Sequence, residues 1–467
     1  MDITCSQVIG GVSSPCLDER KNSIITAGKS KNRIHCADDS VAGAVSQRAC
    51  VFCGARVVLN PITDAAHLVH GPVGCASYTW DIRGSLSSGS EMYRNSFSTD
   101  LKERDVIFGG EKKLALCIDE IVEKHHPPAI FVYATCVVGI IGDDIIAVCK
   151  AASEKHGIEV IPVESSGFIS GNKIIGYRAA GNALIRLITP KDGEIIPKTR
   201  KINFLGEYNL GGEKWLIERY LGELGLEINV ACTGDSTVAA LKQIPGGYLN
   251  LVQCTGSMHY IARLLEEKYG TPYIDVNFFG AYNTADSLRR IAQFYGEPSL
   301  IERAERLIER ETTRIKPSIE YYRSRLAGKR AAIYVGGAFK ALAIIRQLKE
   351  LDMEIVFCGT QTGKPEDYEE IHGMLKSGSV IADDTNPAEI ERFLIEKKVD
   401  IMAGGVKERV LAHKLGVGFV DHNHDRKECL AGFDGAVAFA HEVYTTACSP
   451  VWNHLRKTPS WEVSDEG

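Results

Sequence analysis

The sequence of 467 residues lacks the features that mark several classes of protein. It contains no run of about eighteen apolar residues, so no stretch predicts a transmembrane helix. The start, MDITCSQVIGG, has neither the cationic segment nor the apolar segment of a secretory signal. Acidic and basic residues are interspersed, with a net charge of -6, and no basic stripe predicts nucleic-acid binding. We therefore expect a cytoplasmic protein with no membrane or nucleic-acid partner.

Complete nucleotide-binding and zinc-finger motifs are also missing. The Gly-rich turns GIIGDD, SGNKIIGYR and YVGGAFK resemble anion-binding loops, but none matches a P-loop or a full dinucleotide fingerprint. A Cys-x-x-Cys pair occurs at Cys50 and Cys53, and no second pair follows at zinc-finger spacing. The pair by itself is compatible with a zinc half-site or a redox pair, and the missing second pair speaks against zinc.

Cysteine, by contrast, is abundant, with 14 in the chain. Because disulfides are rare in the cytoplasm, we expect some of these thiols to bind a metal or a cluster. Cys75 and Cys136 stand beside glycine or other small residues, which let a cluster approach the backbone. Cys254 comes where a predicted strand ends and a predicted helix begins, a position that favours an anionic sulfur. Taken singly, each is also compatible with a buried apolar thiol.

The chain alternates short apolar runs with longer amphipathic ones, a pattern typical of parallel α/β sheets. A strand-helix-strand unit recurs at 129–163, 249–276 and 399–422. We predict three doubly wound, Rossmann-like domains with ligand sites at the C-terminal ends of parallel strands. Each helix of the repeat ends at a glycine that suits a left-handed cap: Gly157, Gly270 and Gly416.

The predicted boundaries divide the chain into five segments. An irregular N-terminal arm, 1–45, precedes α/β domains at 46–200, 201–328 and 329–430. The C-terminal segment, 431–467, is expected to pack back on the first domain.

The strand ends of the three repeat units carry Cys136, Cys254 and the turn at 404–407. Two thiols and a lysine at equivalent positions indicate that the domains converge on an anionic, thiophilic ligand. Lys340 and Lys407 each follow a Gly pair and are candidates to hold a carboxylate or a charged cluster. An exposed lysine without such a role fits the spacing equally well.

Several long motifs resemble a known family. They are PITDAAHLVHGPVGCASYTWDIRGSLSSGSE, FSTDLKERDVIFGGEKKL, YATCVVGIIGDD and DHNHDRKECLAGFDGA, together with the strand end at Cys254. From about residue 45 to 452 the chain resembles the nitrogenase molybdenum-iron protein superfamily, and within it the scaffold proteins of iron-molybdenum cofactor assembly. The resemblance implies a subunit that binds an iron-sulfur precursor cluster for maturation and transfer to apo-nitrogenase.

The resemblance also implies roles for individual cysteines. Cys50, Cys75 and Cys136 would ligate a [4Fe-4S] cluster shared with a partner subunit, which supplies a fourth ligand. Cys53 occupies a variable position of the family pattern, and whether it is a spare thiol or an alternative ligand stays open. Cys254 would hold one end of the cofactor or of its eight-iron precursor, which transiently acquires molybdenum and homocitrate.

Three positions depart from the catalytic subunit of that superfamily. The histidine expected sixteen residues after Lys407 is Asn423 here, and an amide is a poorer ligand for a transition metal than imidazole. The histidine that serves substrate reduction corresponds to Tyr177, and the glutamine four residues before it to Lys173. These departures favour a scaffold that holds and releases a cluster.

Two histidines flank Asn423. Strand alternation points His422 and His424 away from the face of Asn423, yet both are candidates to contact a cluster at the mouth of the site. Hydrogen-bonded or partly exposed histidines at a strand end fit the pattern as well. We expect three lysines to neutralise the anionic cluster or position the organic acid: Lys173, Lys340 and Lys407.

The partners implied by the resemblance are several. A homologous N subunit would form an α2β2 heterotetramer with this chain, and the nitrogenase iron protein, a precursor-cluster donor and apo-nitrogenase would bind it in turn. An α-type subunit of a nitrogenase-like reductase is the alternative. A subunit with one electron-transfer or structural cluster and no second site is a third hypothesis. Efficient reduction of dinitrogen is not expected.

Overall fold

The computed structural model describes residues 20–28, 34, 36, 49–80, 95–167, 173–191, 194–422 and 428–455. These residues fold into alternating strands and helices. The strands are β1 (Ile24–Thr26), β2 (Ala66–His70), β3 (Ser96–Ser98), β4 (Ala129–Ala134), β5 (Glu159–Val163), β6 (Ile202–Glu207), β7 (Ile228–Thr233), β8 (Leu249–Val252), β9 (Tyr273–Asp275), β10 (Arg330–Val335), β11 (Glu354–Thr360), β12 (Val380–Asp383), β13 (Ile401–Gly404) and β14 (Gly418–Asp421).

Helices connect most of these strands, and short 3-10 turns occur at Arg20–Asn22 and Ile244–Gly246. The α-helices are α1 (Val51–Leu59), α2 (Val73–Trp80), α3 (Glu103–Phe108), α4 (Glu111–His125), α5 (Cys136–Ile141), α6 (Ile145–His156), α7 (Lys173–Ile188), α8 (Glu213–Glu223), α9 (Val238–Leu241), α10 (Thr255–Tyr269), α11 (Ala281–Tyr295), α12 (Pro298–Leu326), α13 (Ala338–Glu350), α14 (Pro365–Met374), α15 (Pro387–Glu396), α16 (Val406–Lys414), α17 (Gly432–Ala447) and α18 (Val451–Leu455).

The strands form three sheets. The first has the order β3-β2-β4-β5, the second β7-β6-β8-β9, and the third β1-β12-β11-β10-β13-β14. Pairing is parallel throughout except for β1, which pairs antiparallel with β12. In each sheet the strand order reverses at one point, which lies between β2 and β4, between β6 and β8, and between β10 and β13. These are the topological switch points at which doubly wound sheets bind ligands.

The predicted repeat units are confirmed. Each consists of two parallel neighbouring strands joined by a helix: β4, α6 and β5; β8, α10 and β9; β13, α16 and β14. The three glycines predicted to end these helices adopt the left-handed conformation, with φ of 69°, 66° and 63° at Gly157, Gly270 and Gly416. Glycine is favoured there because a Cβ is disfavoured at positive φ.

Sequence signals also explain where some helices begin. α15 follows Asn386, whose side-chain oxygen accepts a hydrogen bond from the Glu389 N–H at 2.9 Å. The Glu389 carboxylate in turn accepts from the Asn386 N–H at 3.1 Å, which completes a capping box. Asp144 caps α6 in the same way by accepting from the Ala147 N–H at 2.9 Å.

The apolar side chains form separate cores. One core combines Phe52 of α1, Leu184 of α7 and Met258 of α10 with buried residues of the first and second sheets, such as Tyr133 and Leu205. The other face of the first sheet is covered by α4 and α6. The third sheet has a core of its own around Phe357 and Met402. Burial of these side chains fixes the sheets that present the strand ends.

The chain divides into two compact units: one contains 49–318 and 424–439, and the other contains 1–48, 319–423 and 440–467. The first two sheets belong to the former unit and the third sheet to the latter. The three-domain boundaries predicted from the sequence stay a prediction.

One expectation about the N-terminal end of the chain needs correction. The arm predicted to be irregular contributes β1 to the third sheet, where Arg20 anchors it through a buried ion pair with Glu389 at 3.1 Å. Three residues are too few for a strand period to be recognised in a sequence. The packing of the C-terminal segment on the first domain stays a prediction. Among its described residues, ring contacts join Phe433 to Tyr220 of α8 and Trp452 to His413 of α16.

None of the described helices combines the length and the apolar character that a membrane crossing requires.

Candidate cluster-binding site

Two of the predicted cysteines lie at the switch point of the first sheet. Strands β2 and β4 are parallel neighbours, with His70 opposite Ala134 at their C-terminal ends. Cys136 begins α5 directly after β4, and Cys75 lies in α2, which follows β2. Both side chains are half-buried. The parallel pairing therefore carries two thiols that are distant in sequence to the same edge of the sheet.

A buried polar network holds these strand ends together. His70 bonds through Nε2 to Asp143 at 3.0 Å and through Nδ1 to Thr99 at 3.1 Å. Asp143 also accepts from the Gly110 N–H at 2.9 Å. Burial lowers the pKa of His70, against the opposing effect of Asp143. This network was not predicted from the sequence, because its members come from four separate segments.

Glycines permit the backbone to approach closely here. A Cβ at Gly71 would lie 2.2 Å from the Thr135 hydroxyl oxygen, and that hydroxyl donates to the His70 carbonyl at 2.9 Å. A Cβ at Gly167 would lie 2.9 Å from Sγ of Cys136. A Cβ at Gly74 would meet no atom of the described residues within 4 Å, so these residues leave space beside the turn that precedes Cys75.

Cys50 and Cys53 stand at the start of α1. Cys50 is the N-cap residue and is exposed, whereas Cys53 is buried with 2% of its surface accessible. Their sulfurs are 3.3 Å apart and hydrogen-bonded. This hydrogen bond, together with backbone amides of the first turn, lowers the pKa of Cys50 to about 6 against the opposing effect of burial. The role of Cys53 stayed open at the level of the sequence, and its contact with Cys50 is visible only in the structure.

The three predicted cluster ligands lie near one another. Burial raises the pKa of the Cys75 thiol, and the neighbouring thiols of Cys136 and Cys50 add to the rise. Among the residues whose positions are described, no group of three or more His, Cys, Asp or Glu side chains is arranged to hold a single metal ion. The donor set fits a cluster better than one ion, because each thiolate of a cluster binds a different iron atom.

Cys254 occupies the switch point of the second sheet. It is the N-cap residue of α10, two residues after β8 ends, and its side chain is half-buried. Gly206 in the neighbouring strand β6 has φ of +80°, and a Cβ there would lie 2.7 Å from the Cys254 backbone nitrogen. Only glycine therefore lets the two strand ends approach in this way. The sequence placed Cys254 at a strand end but indicated no role for Gly206.

Two tyrosines lie close to Cys254. Burial raises the pKa of Tyr177, on α7, and of Tyr208, just after β6, and the thiol of Cys254 adds to both rises. The Tyr208 hydroxyl is 2.7 Å from the hydroxyl of Ser257 on α10. Tyr177 was identified from the sequence as the replacement for a catalytic histidine. Tyr208 was missed, because forty-six residues separate it from Cys254.

Helix α7 lies between α1, which follows Cys50, and α10, which follows Cys254. A Cβ at Gly176 of α7 would lie 1.9 Å from the Val51 carbonyl oxygen, and one at Gly181 would lie 2.8 Å from the Tyr260 ring. These glycines let α7 pack tightly against both neighbours. One rigid helix thus contacts the elements that position both thiol sites.

The third switch point carries charged residues. Lys340 is half-buried in the first turn of α13, and Lys407 is exposed in the first turn of α16. The two helices follow the neighbouring strands β10 and β13. Buried Glu408 accepts a hydrogen bond from the Gly405 N–H at 3.0 Å. Burial raises the pKa of this carboxyl to about 7.

Of the remaining predicted site residues, the structure describes only some. His422 follows β14, is fully buried, and donates its backbone N–H to the Gly404 carbonyl at 3.1 Å. Its imidazole therefore lies inside its own unit, and contact with a cluster stays a prediction. Asn423 and His424 lie outside the described residues. Lys173 begins α7, and its side chain is not among those described.

Comparisons with known proteins agree with this geometry. The sequence profile of the family described as nitrogenase component 1 type oxidoreductase matches residues 50–448. A solved structure titled "Nitrogenase Cp1 at pH 5" superposes with a TM-score of 0.87 at 32% identity, covering 98% of this chain and 100% of that one.

Curated relatives are similar over nearly the whole length. The nitrogenase iron-molybdenum cofactor biosynthesis protein NifE of Clostridium pasteurianum is 54% identical, covering 94% of this chain and 97% of the relative. NifE of Methanosarcina barkeri is 52% identical with the same coverage. The resemblance seen in the sequence motifs is confirmed: this chain belongs to the nitrogenase component 1 type oxidoreductase family, within which it is similar to the NifE proteins.

Proposed function

We propose that this chain is one subunit of a scaffold for assembly of the nitrogenase iron-molybdenum cofactor, with an iron-sulfur precursor as its cargo. The observation that carries the proposal is the presence of two unlike thiol sites in one compact unit. One gathers Cys50, Cys75 and Cys136, and the other has Cys254 beside Tyr177. The names of relatives with 54% and 52% identity support the same function.

The first site would hold the resident cluster. Cys50, Cys75 and Cys136 supply three thiolates for a [4Fe-4S] cluster, and a partner subunit supplies the fourth ligand. When bound, such a cluster provides one-electron redox chemistry. The chain contributes rigid strand ends, the His70–Asp143 network that joins them, and the glycines that leave room at Cys75 and Cys136.

The second site would hold the cargo. Cys254 offers one thiolate from this chain, and a single protein bond suits a cluster that must later leave. The hydroxyls of Tyr177 and Tyr208 are protonated at neutral pH, as ordinary phenols are, and burial raises their pKa values further, so they add no charge beside the sulfur.

The charged residues of the third switch point have a proposed supporting role. Lys340 and Lys407, with Lys173 of α7, would neutralise the anionic precursor or position homocitrate when molybdenum is added. Asn423 replaces the second anchor of a catalytic subunit, and this substitution favours release. His422 and His424 stay candidates for a secondary contact.

The proposed assembly follows from the family. A homologous N subunit would complete an α2β2 heterotetramer and share the [4Fe-4S] cluster. The nitrogenase iron protein, a precursor-cluster donor and apo-nitrogenase would bind the scaffold at successive stages. The alternative to be tested is an α-type subunit of a nitrogenase-like reductase, because the fold superposes on a nitrogenase structure with a TM-score of 0.87.

Anaerobic purification with the partner subunit tests the proposal. We expect the complex to activate cofactor-less nitrogenase while reducing acetylene far more slowly than nitrogenase does. Acetylene reduction at nitrogenase-like rates would contradict the scaffold function and favour the reductase. Iron analysis and EPR spectroscopy of the same complex count the clusters.

A variant distinguishes a chain with two cluster sites from a chain with only one. Cys254→Ala is expected to lose the cargo iron and keep the EPR signal of the resident cluster. Cys232→Ala is the matched control, because Cys232 is a fully buried thiol in β7 of the same sheet. If Cys254→Ala retains as much iron as Cys232→Ala, the chain has a single cluster and no cargo site.

A further inference from the structure

The contact between Cys50 and Cys53 has no role in the function proposed above. The two sulfurs are 3.3 Å apart, while a disulfide bond is about 2 Å long. Cys50 is the N-cap residue of α1 and Cys53 lies in its first turn, which the Gly54 N–H closes by donating to the Cys50 carbonyl at 3.1 Å. Side-chain rotation alone can close the remaining gap, since the helical turn already fixes the two backbones.

The two thiols differ in exposure. Cys50 is exposed, and Cys53 retains 2% of its accessible surface. This difference in exposure suits thiol-disulfide exchange. The accessible sulfur can react with an external disulfide, and the shielded sulfur can then attack the mixed disulfide that forms. An isolated core thiol such as Cys149, packed among the apolar residues of α6 and the first sheet, offers no such pair.

We propose that Cys50 and Cys53 form a reversible disulfide whenever Cys50 holds no cluster, by exchange with a low-molecular-weight disulfide. The Cys50 thiolate attacks one sulfur of the external disulfide, which releases one thiol and leaves a mixed disulfide on Cys50. Cys53 gives its proton to solvent and attacks the Cys50 sulfur, which releases the second thiol. The protein dithiol has then lost two electrons and two protons, and the external disulfide has gained them.

The disulfide and the cluster exclude one another. The Cys50 sulfur cannot bond iron while it is bonded to Cys53, so oxidation withdraws one ligand from the first site; this consequence rests on the proposed function. The disulfide also shields the exposed sulfur from irreversible oxidation to sulfinic or sulfonic acid. A thiol reductant restores the ligand.

The test uses the full-length chain, stripped of iron under anaerobic conditions and incubated with mixtures of oxidised and reduced glutathione. Samples are trapped with N-ethylmaleimide, digested with trypsin and analysed by mass spectrometry. Cleavage after Arg48 and Arg56 places both cysteines in one peptide, ACVFCGAR. We expect its intramolecular disulfide to exceed its glutathione adduct at least about tenfold, because the neighbouring thiol reacts at a high effective concentration.

Controls come from the same chain. Cys448 is exposed and outside the pair, so its peptide reports whether glutathione reached the protein. In Cys53→Ser the glutathione adduct should stay on Cys50, because no second thiol resolves it. The proposal is wrong if the wild-type peptide remains a dithiol, or stops at the glutathione adduct, while Cys448 reacts. This readout uses wild-type protein and therefore does not depend on the folding of any variant.

Reconstitution with iron and sulfide separates this proposal from the cluster assignment. Reduced protein is expected to take up at least about tenfold more iron at the first site than oxidised protein, and reductant should abolish the difference. Formation of the disulfide without iron uptake by reduced protein would support the redox pair and contradict the cluster site. Equal iron uptake by both forms, with no disulfide in the peptide, would overturn the redox pair.

Discussion

The two thiol sites differ in the number of sulfurs and in their surroundings. The first gathers Cys50, Cys75 and Cys136 at an edge where Cys50 is exposed and the described residues leave space beside Gly74. The second has Cys254 beside Tyr177 and Tyr208. Both lie at switch points of parallel sheets in the same unit. The two sites therefore share the same backbone architecture and differ in the side chains that stand at the strand ends.

On the proposed function, this difference predicts how tightly each site would hold its cluster. Several protein-iron bonds would have to break before a cluster left the first site, whereas this chain would contribute one such bond at the second. The glycines differ correspondingly: Gly71 and Gly167 make room beside the first site, while Gly206 fixes the backbone of Cys254. The first site suits a permanent cluster, and the second suits a transient one.

Removing one ligand from the first site should have the largest effect. Cys136→Ala is expected to lower occupancy of the resident cluster more than about tenfold, because three thiolates become two. Iron analysis and EPR of the anaerobic complex measure the loss, and iron held through Cys254 should remain. Cys149→Ala removes a buried thiol from the core beneath the first sheet and should keep the cluster signal. Loss of both signals in Cys136→Ala would mean that the sites are not independent.

Disturbing the packing of the helix between the sites should destabilise the unit that carries them. Gly176→Ala brings a methyl group within 1.9 Å of the Val51 carbonyl oxygen, so α7 and α1 must separate. We expect a loss of about 3 kcal/mol in the free energy of unfolding, measured by chemical denaturation. Gly222→Ala is the control in α8, where a Cβ meets no atom of the described residues within 4 Å. It should be neutral or stabilising by up to about 1 kcal/mol.

Changing Gly206 should affect the second site alone. Gly206→Ala combines positive φ with a Cβ 2.7 Å from the Cys254 nitrogen, and we expect a loss of about 2 kcal/mol in stability. Gly270→Ala has a similar backbone, with φ of +66°, but its Cβ meets no described atom within 4 Å. Iron analysis should therefore show less cargo iron in Gly206→Ala only. An equal loss of cargo iron in Gly270→Ala would mean that backbone strain causes the effect, and not the contact of the new Cβ with Cys254.

The last prediction concerns the third switch point, where buried Glu408 lies in the first turn of α16. Its folded pKa of about 7 exceeds the usual 4.5, so its contribution to stability is complete below pH 4.5 and is lost as pH rises through about 7. Glu408→Gln should abolish this loss, which amounts to about 3 kcal/mol between about pH 5 and pH 8 because the folded pKa lies about two units above pH 5. Denaturation at the two pH values measures it, with exposed Glu366→Gln at the start of α14 as control. The same pH dependence in wild type and Glu408→Gln would contradict the assignment.

Local patterns were enough to predict much of the fold. The three repeat units and the left-handed glycines at 157, 270 and 416 follow from periodicity and backbone sterics over a few residues. The strand β1 could not be predicted, because its three residues gain their structure from pairing with β12.

The same distinction between local and tertiary determinants applies to the candidate sites. The sequence by itself determined the fold class, the kinds of side chain available for metal binding, and the position of Cys136 and Cys254 at strand ends. Only the tertiary structure decided that Cys53 lies 3.3 Å from Cys50, that Gly206 supports Cys254, and that Tyr208 joins Tyr177 beside it. Strand ends are set by local chemistry, whereas neighbours at a switch point are set by the order in which distant strands pair.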